Sequence, residues 1–243
     1  DCLATGHYVR QRFGTHGAEL HRAADPKKDQ SYFLFATTLE QLKFLRFPLG
    51  GIVSKEETRE LARKFSLRVA QKPDSQDICF VPNGSYADVI RKLRPESNRP
   101  GKILNLVGEV VGTHNGVINF TIGQRRGLGL GGGNPLYVVK IDAKDQSITV
   151  GPKDALITRS IKIKDINWIG SRRFDDAPEK GWPIEVKVRS TRPALPASVV
   201  PISTSEAKVF LSNDEQGISP GQACVFYETG STRVLGGGWV TKH

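Results

Sequence analysis

At Arg94-Pro-Glu-Ser-Asn-Arg-Pro-Gly101 the apolar period of this chain changes from that of helices to that of strands, and it does not change back. Before the break, Thr38-Leu-Glu-Gln41 has the form of a capping box, with Leu39, Leu42 and Leu45 following at helical spacing. Phe47-Pro-Leu-Gly50 then stops that helix. Ser54-Lys-Glu-Glu57 opens a second helix with Leu61, Ala62 and Phe65 on one face, and a third is expected from about Ser85 to Leu93. After the break come short β-prone runs: Ile103 to Val111, Val117 to Ile122, Leu136 to Ile141 and Ser147 to Val150, with Asn115-Gly116 as a tight hairpin turn. A second β-rich block starts near Thr158. Its strands are expected near Ile161 to Ile169, Ile184 to Ser190, Ala197 to Val200, Ala207 to Leu211, Ala223 to Tyr227 and Leu235 to Val240. Five or six short antiparallel strands at this spacing predict a small closed or half-closed barrel. The expected division is 1–95, 96–157 and 158–243.

Composition narrows the class of function. Thirty-five Lys plus Arg against 25 Asp plus Glu give a formal charge of +10, which suits a polyanionic partner and equally suits a basic surface that only keeps the chain soluble. Cys2, Cys79 and Cys224 are too few for a disulfide framework, and with five histidines they form no zinc pattern, so no metal site is expected. No apolar run approaches the roughly 20 residues that span a bilayer, and Asp1–Arg10 has no signal-peptide character. A reducing, cytoplasmic setting is the simpler expectation. The chain opens on DCLATGHYV, which reads as a strand already in progress, and it contains no Met; an upstream part is expected to be missing.

Cys79 is the sharpest candidate for chemistry. It lies in Lys72-Pro-Asp-Ser-Gln-Asp-Ile-Cys79-Phe-Val-Pro82, a stretch too rich in Pro and Asp for a regular element. A thiolate there can act as nucleophile or carry sulfane sulfur; a buried structural thiol between Ile78 and Phe80 is the competing reading. Thr5-Gly6-His7 follows an apolar strand end, where open α/β sheets bind ligands, and Gly6 permits close backbone approach by a nucleotide. Lys28, Asp29, Gln30 and Tyr32 combine a cation for phosphate with groups able to meet a base or ribose, against an ordinary solvated helix start. Thr121 to Gly133 is Gly-rich and carries Gln124, Arg125 and Arg126, with neither Walker nor dinucleotide spacing. It suits a phosphate backbone, a closing lid, or simply a long hairpin loop. Lys187, Arg189, Arg192 and Gln222 fit a groove for nucleic acid or a solvated sheet face, with Lys187 and Arg189 on one side of a strand by period two. Cys224, among Ala223, Val225 and Phe226, reads as a core thiol.

Seven motifs now stand in order: ATGHY (4–8), KDQSYFL (28–34), FPLG (47–50), DSQDICF (74–80), FTIGQRRGLG (120–129), PLYVV (135–139) and SPGQACVFY with LGGG (219–238). Together they resemble the tRNA-specific 2-thiouridylases of bacteria and organelles. The resemblance implies an α/β remnant of an adenine-nucleotide-hydrolase-like doubly wound domain, then a small β-rich central domain, then a C-terminal antiparallel β-barrel. It also implies thiolation of the wobble uridine of tRNAs for Lys, Glu and Gln. ATP, with Mg2+ accompanying the nucleotide, would adenylate the base at its C2 oxygen, and persulfide sulfur would displace AMP. By the same resemblance Cys79 carries the persulfide, and an upstream cysteine releases the sulfur and leaves a disulfide. Gly6 takes the place of an ATP contact. His7, Lys28, Asp29, Gln30, Arg189, Ser190 and Gln222 take the places of tRNA contacts, and Ser190 stands where relatives often have an aromatic. The implied partners are tRNA and a sulfur-relay protein or cysteine desulfurase, with no membrane. The family's SGGxDSS-like pyrophosphate loop and the upstream cysteine do not occur in the sequence, so the N-terminal segment is expected to be lacking and these residues alone to be inactive. Two other functions compete: a non-catalytic RNA-binding module, and a barrel used for protein contacts.

Overall fold

The run Arg233-Val-Leu-Gly-Gly-Gly-Trp-Val240 explains much of the architecture, because a strand with three successive glycines lets neighbouring strands approach it on both sides. A computed structural model describes residues 1–67, 99–131 and 133–241. In it the last strand, β14 (Arg233–Val240), pairs with β13 (Ala223–Tyr227) and with β9 (Ile157–Trp168). Gly236 sits at φ 115°, and a side chain there would run into the carbonyl of Asn167. With β10 (Trp182–Lys187), β11 (Leu195–Pro201) and β12 (Glu206–Gln216) the order is β13-β10-β11-β12-β9-β14, and the β13–β14 pairing closes it into an antiparallel barrel. The barrel expectation holds; β9, β11, β12 and β14 run longer than their apolar centres suggested, while β10 ends at Lys187, short of the expected Ser190.

The N-terminal part is α/β. Strands β1 (Leu3–Ala4) and β4 (Leu45–Arg46) pair in parallel. Helix α1 (Leu39–Phe44) starts at a reciprocal capping box between Thr38 and Gln41, as expected, and buries Leu42. Helix α2 (Lys55–Lys64) is capped by the Ser54 hydroxyl, which accepts from the Glu57 N–H at 3.1 Å, but Leu61 on it and Phe65 at its C-cap are exposed. The helix expected from Ser85 to Leu93 lies outside the described residues.

Two sequence expectations are corrected. Residues 1–95 carry more than helices: β2 (Val9–Gly14) and β3 (Gly17–Arg22) form an antiparallel hairpin that joins the barrel sheet through β3 and β14, Leu20 opposite Val234. Its Arg- and Gln-rich strands offer little β-propensity and are held by pairing and by one buried face. Val9, Ala18, Leu20, Phe35 and Leu42 share a single core with Ala223, Val225, Tyr227 and Val234. Second, Val117–Asn119 is a 3-10 turn and not a strand, so Asn115-Gly116 makes no hairpin.

The described residues gather into two compact units. Residues 1–67, 159–214 and 219–241 form the first; 99–158 and 215–218 belong to the second. The second contains a mixed sheet in the order β6 (Val110–His114), β5 (Gly101–Leu104), β8 (Ser147–Gly151), β7 (Tyr137–Asp142), with β5 and β8 parallel. Its own core is Ile103, Val117, Leu128, Val138, Ile148 and Val150.

Candidate nucleic-acid interface

The hairpin and the barrel set up a surface around the turn at 23–34. Asp29 is its internal bracket. One carboxylate oxygen accepts from the N–H groups of Ala23 (3.1 Å) and Ser31 (3.2 Å), and the other from the Ser31 hydroxyl at 2.8 Å. Ser31 Oγ is in turn 3.1 Å from the Tyr227 hydroxyl, beneath which the chain is core. Burial pushes the Tyr227 phenol up to about 12, and the Arg22 guanidinium lies 3.9 Å from its ring centre.

Gln30 ties this turn to Tyr8, the residue before β2. Its backbone N–H donates to the Tyr8 carbonyl (3.0 Å), and its side-chain oxygen accepts from the Tyr8 N–H (2.8 Å). Lys28 places its ammonium 4.9 Å from the Tyr8 ring centre, where it has no hydrogen-bond partner among the described residues. His7 is the residue just before Tyr8. It is exposed, with Nδ1 2.8 Å from the Thr5 hydroxyl. Gly6 is exposed as well. Its φ is not left-handed, and an added side chain would make only an ordinary contact with Leu49 at 3.7 Å. The chain itself therefore gives no reason for glycine at that position.

Tyr32 ties the turn to the barrel. Its hydroxyl faces the carbonyls of Ala223 (3.0 Å) and Val188 (3.3 Å), each one residue from a predicted contact: Gln222 and Arg189. Burial raises the Tyr32 pKa, with Arg189 acting the other way, so the phenol keeps the proton these carbonyls share. Arg189 and Ser190 lie in the bend and turn after β10, Ser190 exposed. Gln222 closes the Ser219–Gln222 turn, its side-chain oxygen accepting from the Ser219 N–H at 3.0 Å.

Gly6, His7, Lys28, Asp29, Gln30, Arg189, Ser190 and Gln222 are thus brought onto one linked surface, by bonds that run through Tyr8 and Tyr32. The roles read from sequence shift, however. Tyr32 is not available to a base or ribose, because its hydroxyl is held by two main-chain carbonyls. The Asp29 carboxylate is engaged inside the turn. Strand β10 ends at Lys187, so Lys187 and Arg189 do not form a stripe on one strand. Lys187 is half-buried, and desolvation lowers its pKa against the opposing pull of Asp29. Sequence reasoning missed Tyr8, Arg10, Arg22 and Tyr227. Arg10 Nε donates to the Arg22 carbonyl at 2.8 Å, and burial with nearby Arg12 lowers its pKa. The alternation of Val9, Gln11 and Phe13 with Arg10 and Arg12 was the one signal that would have found this hairpin.

Cys79, with Lys72, Asp74 and Asp77, lies outside the described residues. Cys224 is fully buried and burial raises its pKa, as befits a core thiol; Cys2 is exposed. Among the described residues no His, Cys, Asp and Glu side chains cluster as metal ligands, and no helix is long and apolar enough to cross a membrane.

Three family models match in tandem: the tRNA methyl transferase HUP domain over 1–83, the tRNA methyl transferase PRC-barrel domain over 87–152 and the aminomethyltransferase beta-barrel domain over 158–240. Each match covers a separate segment of the chain. Along its whole length the chain is 59% identical to a tRNA-specific 2-thiouridylase of Roseobacter denitrificans and 58% identical to one of a Ruegeria species, covering 63% of each relative. A third, from Paracoccus denitrificans, is 56% identical over 242 residues, with 61% of its length covered. The chain therefore spans a little under two thirds of the relatives it matches. The HUP match corrects the expectation that the N-terminal domain segment is lacking: that domain is represented in residues 1–83. An SGGxDSS-like loop is not needed for the match, which extends over the strand ends and turns from ATGHY through FPLG.

Proposed function

We propose that this chain serves ATP-dependent 2-thiolation of the wobble uridine in tRNAs for Lys, Glu and Gln, with the surface around Tyr8 and Tyr32 gripping the anticodon arm. The observation that carries the reading is the convergence just described: eight residues from four separate stretches, joined through two tyrosines, on a chain 56–59% identical to tRNA-specific 2-thiouridylases.

In this reading Lys28 and Arg189 supply charge to the phosphate backbone. Gln30 keeps its amide N–H groups for RNA while its oxygen holds Tyr8, and His7 and Ser190 approach the RNA from either side. Asp29 and Gln222 position their turns. Gly6, for which the fold has no need, leaves room for the nucleotide, accompanied by Mg2+, to approach the end of β1. Transfer of AMP to the C2 oxygen of the uridine releases pyrophosphate and makes that oxygen a leaving group. The terminal sulfur of a Cys79 persulfide then attacks C2 and AMP departs. Attack by a second thiol on Cys79 Sγ frees the sulfur as 2-thiouridine and leaves a disulfide, which a reductant reopens. The base must leave its stack to meet that sulfur. A sulfur-relay protein or cysteine desulfurase recharges Cys79, in the cytoplasm, and the division 1–95, 96–157 and 158–243 separates catalytic, central and barrel domains.

Two of the matched domain descriptions name methyl transfer, and this is the second reading. Nucleoside mass analysis separates the two, sulfur in place of oxygen against an added methyl group. With Cys79→Ser in the whole protein, 2-thiouridine formation is expected to fall on the order of 10³-fold or more while tRNA binding persists. Undiminished thiolation in that variant would remove Cys79 from the mechanism; a methylated product would replace the reading altogether.

A further inference from the structure

The Gly-rich loop from Thr121 to Leu136 in the second unit has no role in the function just proposed, and it is built as a site. Its base is fixed to β7: the Gly123 N–H donates to the Val138 carbonyl (2.8 Å), and the Val138 N–H donates to the Gln124 carbonyl (2.9 Å). The Gln124 side chain closes the turn from within. Its oxygen accepts from the Thr121 N–H at 3.0 Å, and its amide donates to the Arg126 carbonyl at 2.9 Å. Arg125 and Arg126 are therefore held on an anchored turn. Both are exposed, and neither has a side-chain hydrogen bond or ion pair among the described residues.

Arg125 borders a half-open cleft of about 490 Å³, which Leu128, Leu130, Asn134 and Leu136 also line. Leu128 is buried and the other two leucines are half-buried, so the cleft has an apolar floor beside a cationic rim. Left-handed backbone accounts for Gly123, Gly127, Gly129 and Gly133. It does not account for Gly131, whose φ is not left-handed and at which a side chain would meet nothing within 4 Å. A glycine that neither conformation nor packing requires leaves the backbone open to something outside the chain.

We propose that this loop is a second RNA contact, in which Arg125 and Arg126 clamp successive phosphates of the tRNA backbone while a ribose or base rests on the leucine floor. The inference rests on the tRNA reading above. Arginine forks match phosphate oxygens in pairs, and unpaired guanidinium groups at the surface bring no internal partner to displace. The loop lacks both spacings that cradle the phosphates of a free nucleotide, which favours a polynucleotide.

The test is tRNA binding by the whole protein across a salt series, with ATP binding measured alongside, for wild type, the double variant Arg125→Ala/Arg126→Ala, and the double lysine variant. The alanine pair is expected to weaken tRNA binding about 10-fold or more and to reduce the salt slope by about 1.4 to 1.8, from 0.7 to 0.9 per lost phosphate contact. ATP affinity should stay unchanged, and the lysine pair should keep the slope while losing part of the affinity. An unchanged slope and affinity in the alanine pair would overturn the inference. So would a loss confined to ATP, which would assign the loop to the free nucleotide. A wild-type protein indifferent to tRNA is a separate result, and it would overturn the reading on which this one stands.

Discussion

The two cationic surfaces of this protein, the turn around Tyr32 in the first unit and the Arg125–Arg126 loop in the second, are built on opposite plans. Around Tyr32 nearly every polar group is tied into the chain: Asp29 accepts three hydrogen bonds, Gln30 brackets Tyr8, and Tyr32 spans two carbonyls. In the loop, Gln124 does the tying and the two arginines stand clear of internal partners among the described residues. Sequence alone presents both as basic, polar stretches. The difference is that the first must hold four separate chain segments together, whereas the second needs only one anchored turn.

Glycine substitutions give the widest contrast. A side chain on Gly50 would run into the Val9 carbonyl, so Gly50→Ala is expected to destabilise the first unit by about 3 kcal/mol. Gly131→Ala in the second should change stability by less than about 0.5 kcal/mol while weakening RNA binding. Denaturant unfolding of both variants checks this; equal costs would erase the distinction. Next in size is Asp29→Ala, which strands three donors and is expected to cost about 2 kcal/mol and to lower tRNA affinity with it. By contrast Arg125→Ala/Arg126→Ala should lower affinity with no shift in the unfolding midpoint, as an exposed pair allows. Tyr32→Phe removes one hydroxyl and is expected to cost about 1 kcal/mol, read as a shift in the urea midpoint.

The smallest effect is one the two units share. His21 on β3 and His114 on β6 are both buried, and burial lowers the pKa of each; at His21 a bond to Glu19 pulls the other way. As pH falls, the unfolded chain takes up these protons before the folded one does. Stability is therefore full above the ordinary histidine range and declines as pH drops from about 6.5. His21→Gln should flatten that decline in the first unit only, and urea midpoints at several pH values would show it.

How much of this could be read in advance depended on how far the deciding contacts reach along the chain. The barrel was legible because strands such as Ala223–Tyr227 carry continuous apolar runs, and α1 because its capping box is local. The β2–β3 hairpin was not legible, since Arg10, Gln11 and Arg12 hide a strand whose partner across β3 is the far end of β14. At the candidate site, ordered motifs marked the stretches that converge. They did not say which side chains face outward, because the hydroxyl of Tyr32 answers to carbonyls 156 and 191 residues away. Cys79, the residue that most attracts a chemical reading, has no described surroundings to weigh against its sequence.

The most direct measurement is photocrosslinking of the whole protein to tRNAs carrying a photoreactive nucleotide at the wobble position or elsewhere along the anticodon arm, followed by identification of the attached peptides. The account predicts crosslinks in the segments holding His7, Lys28 to Gln30, Arg189 and Ser190, together with the Cys79 stretch. Crosslinks confined to other faces of the protein, with all of these segments unlabelled, would contradict it.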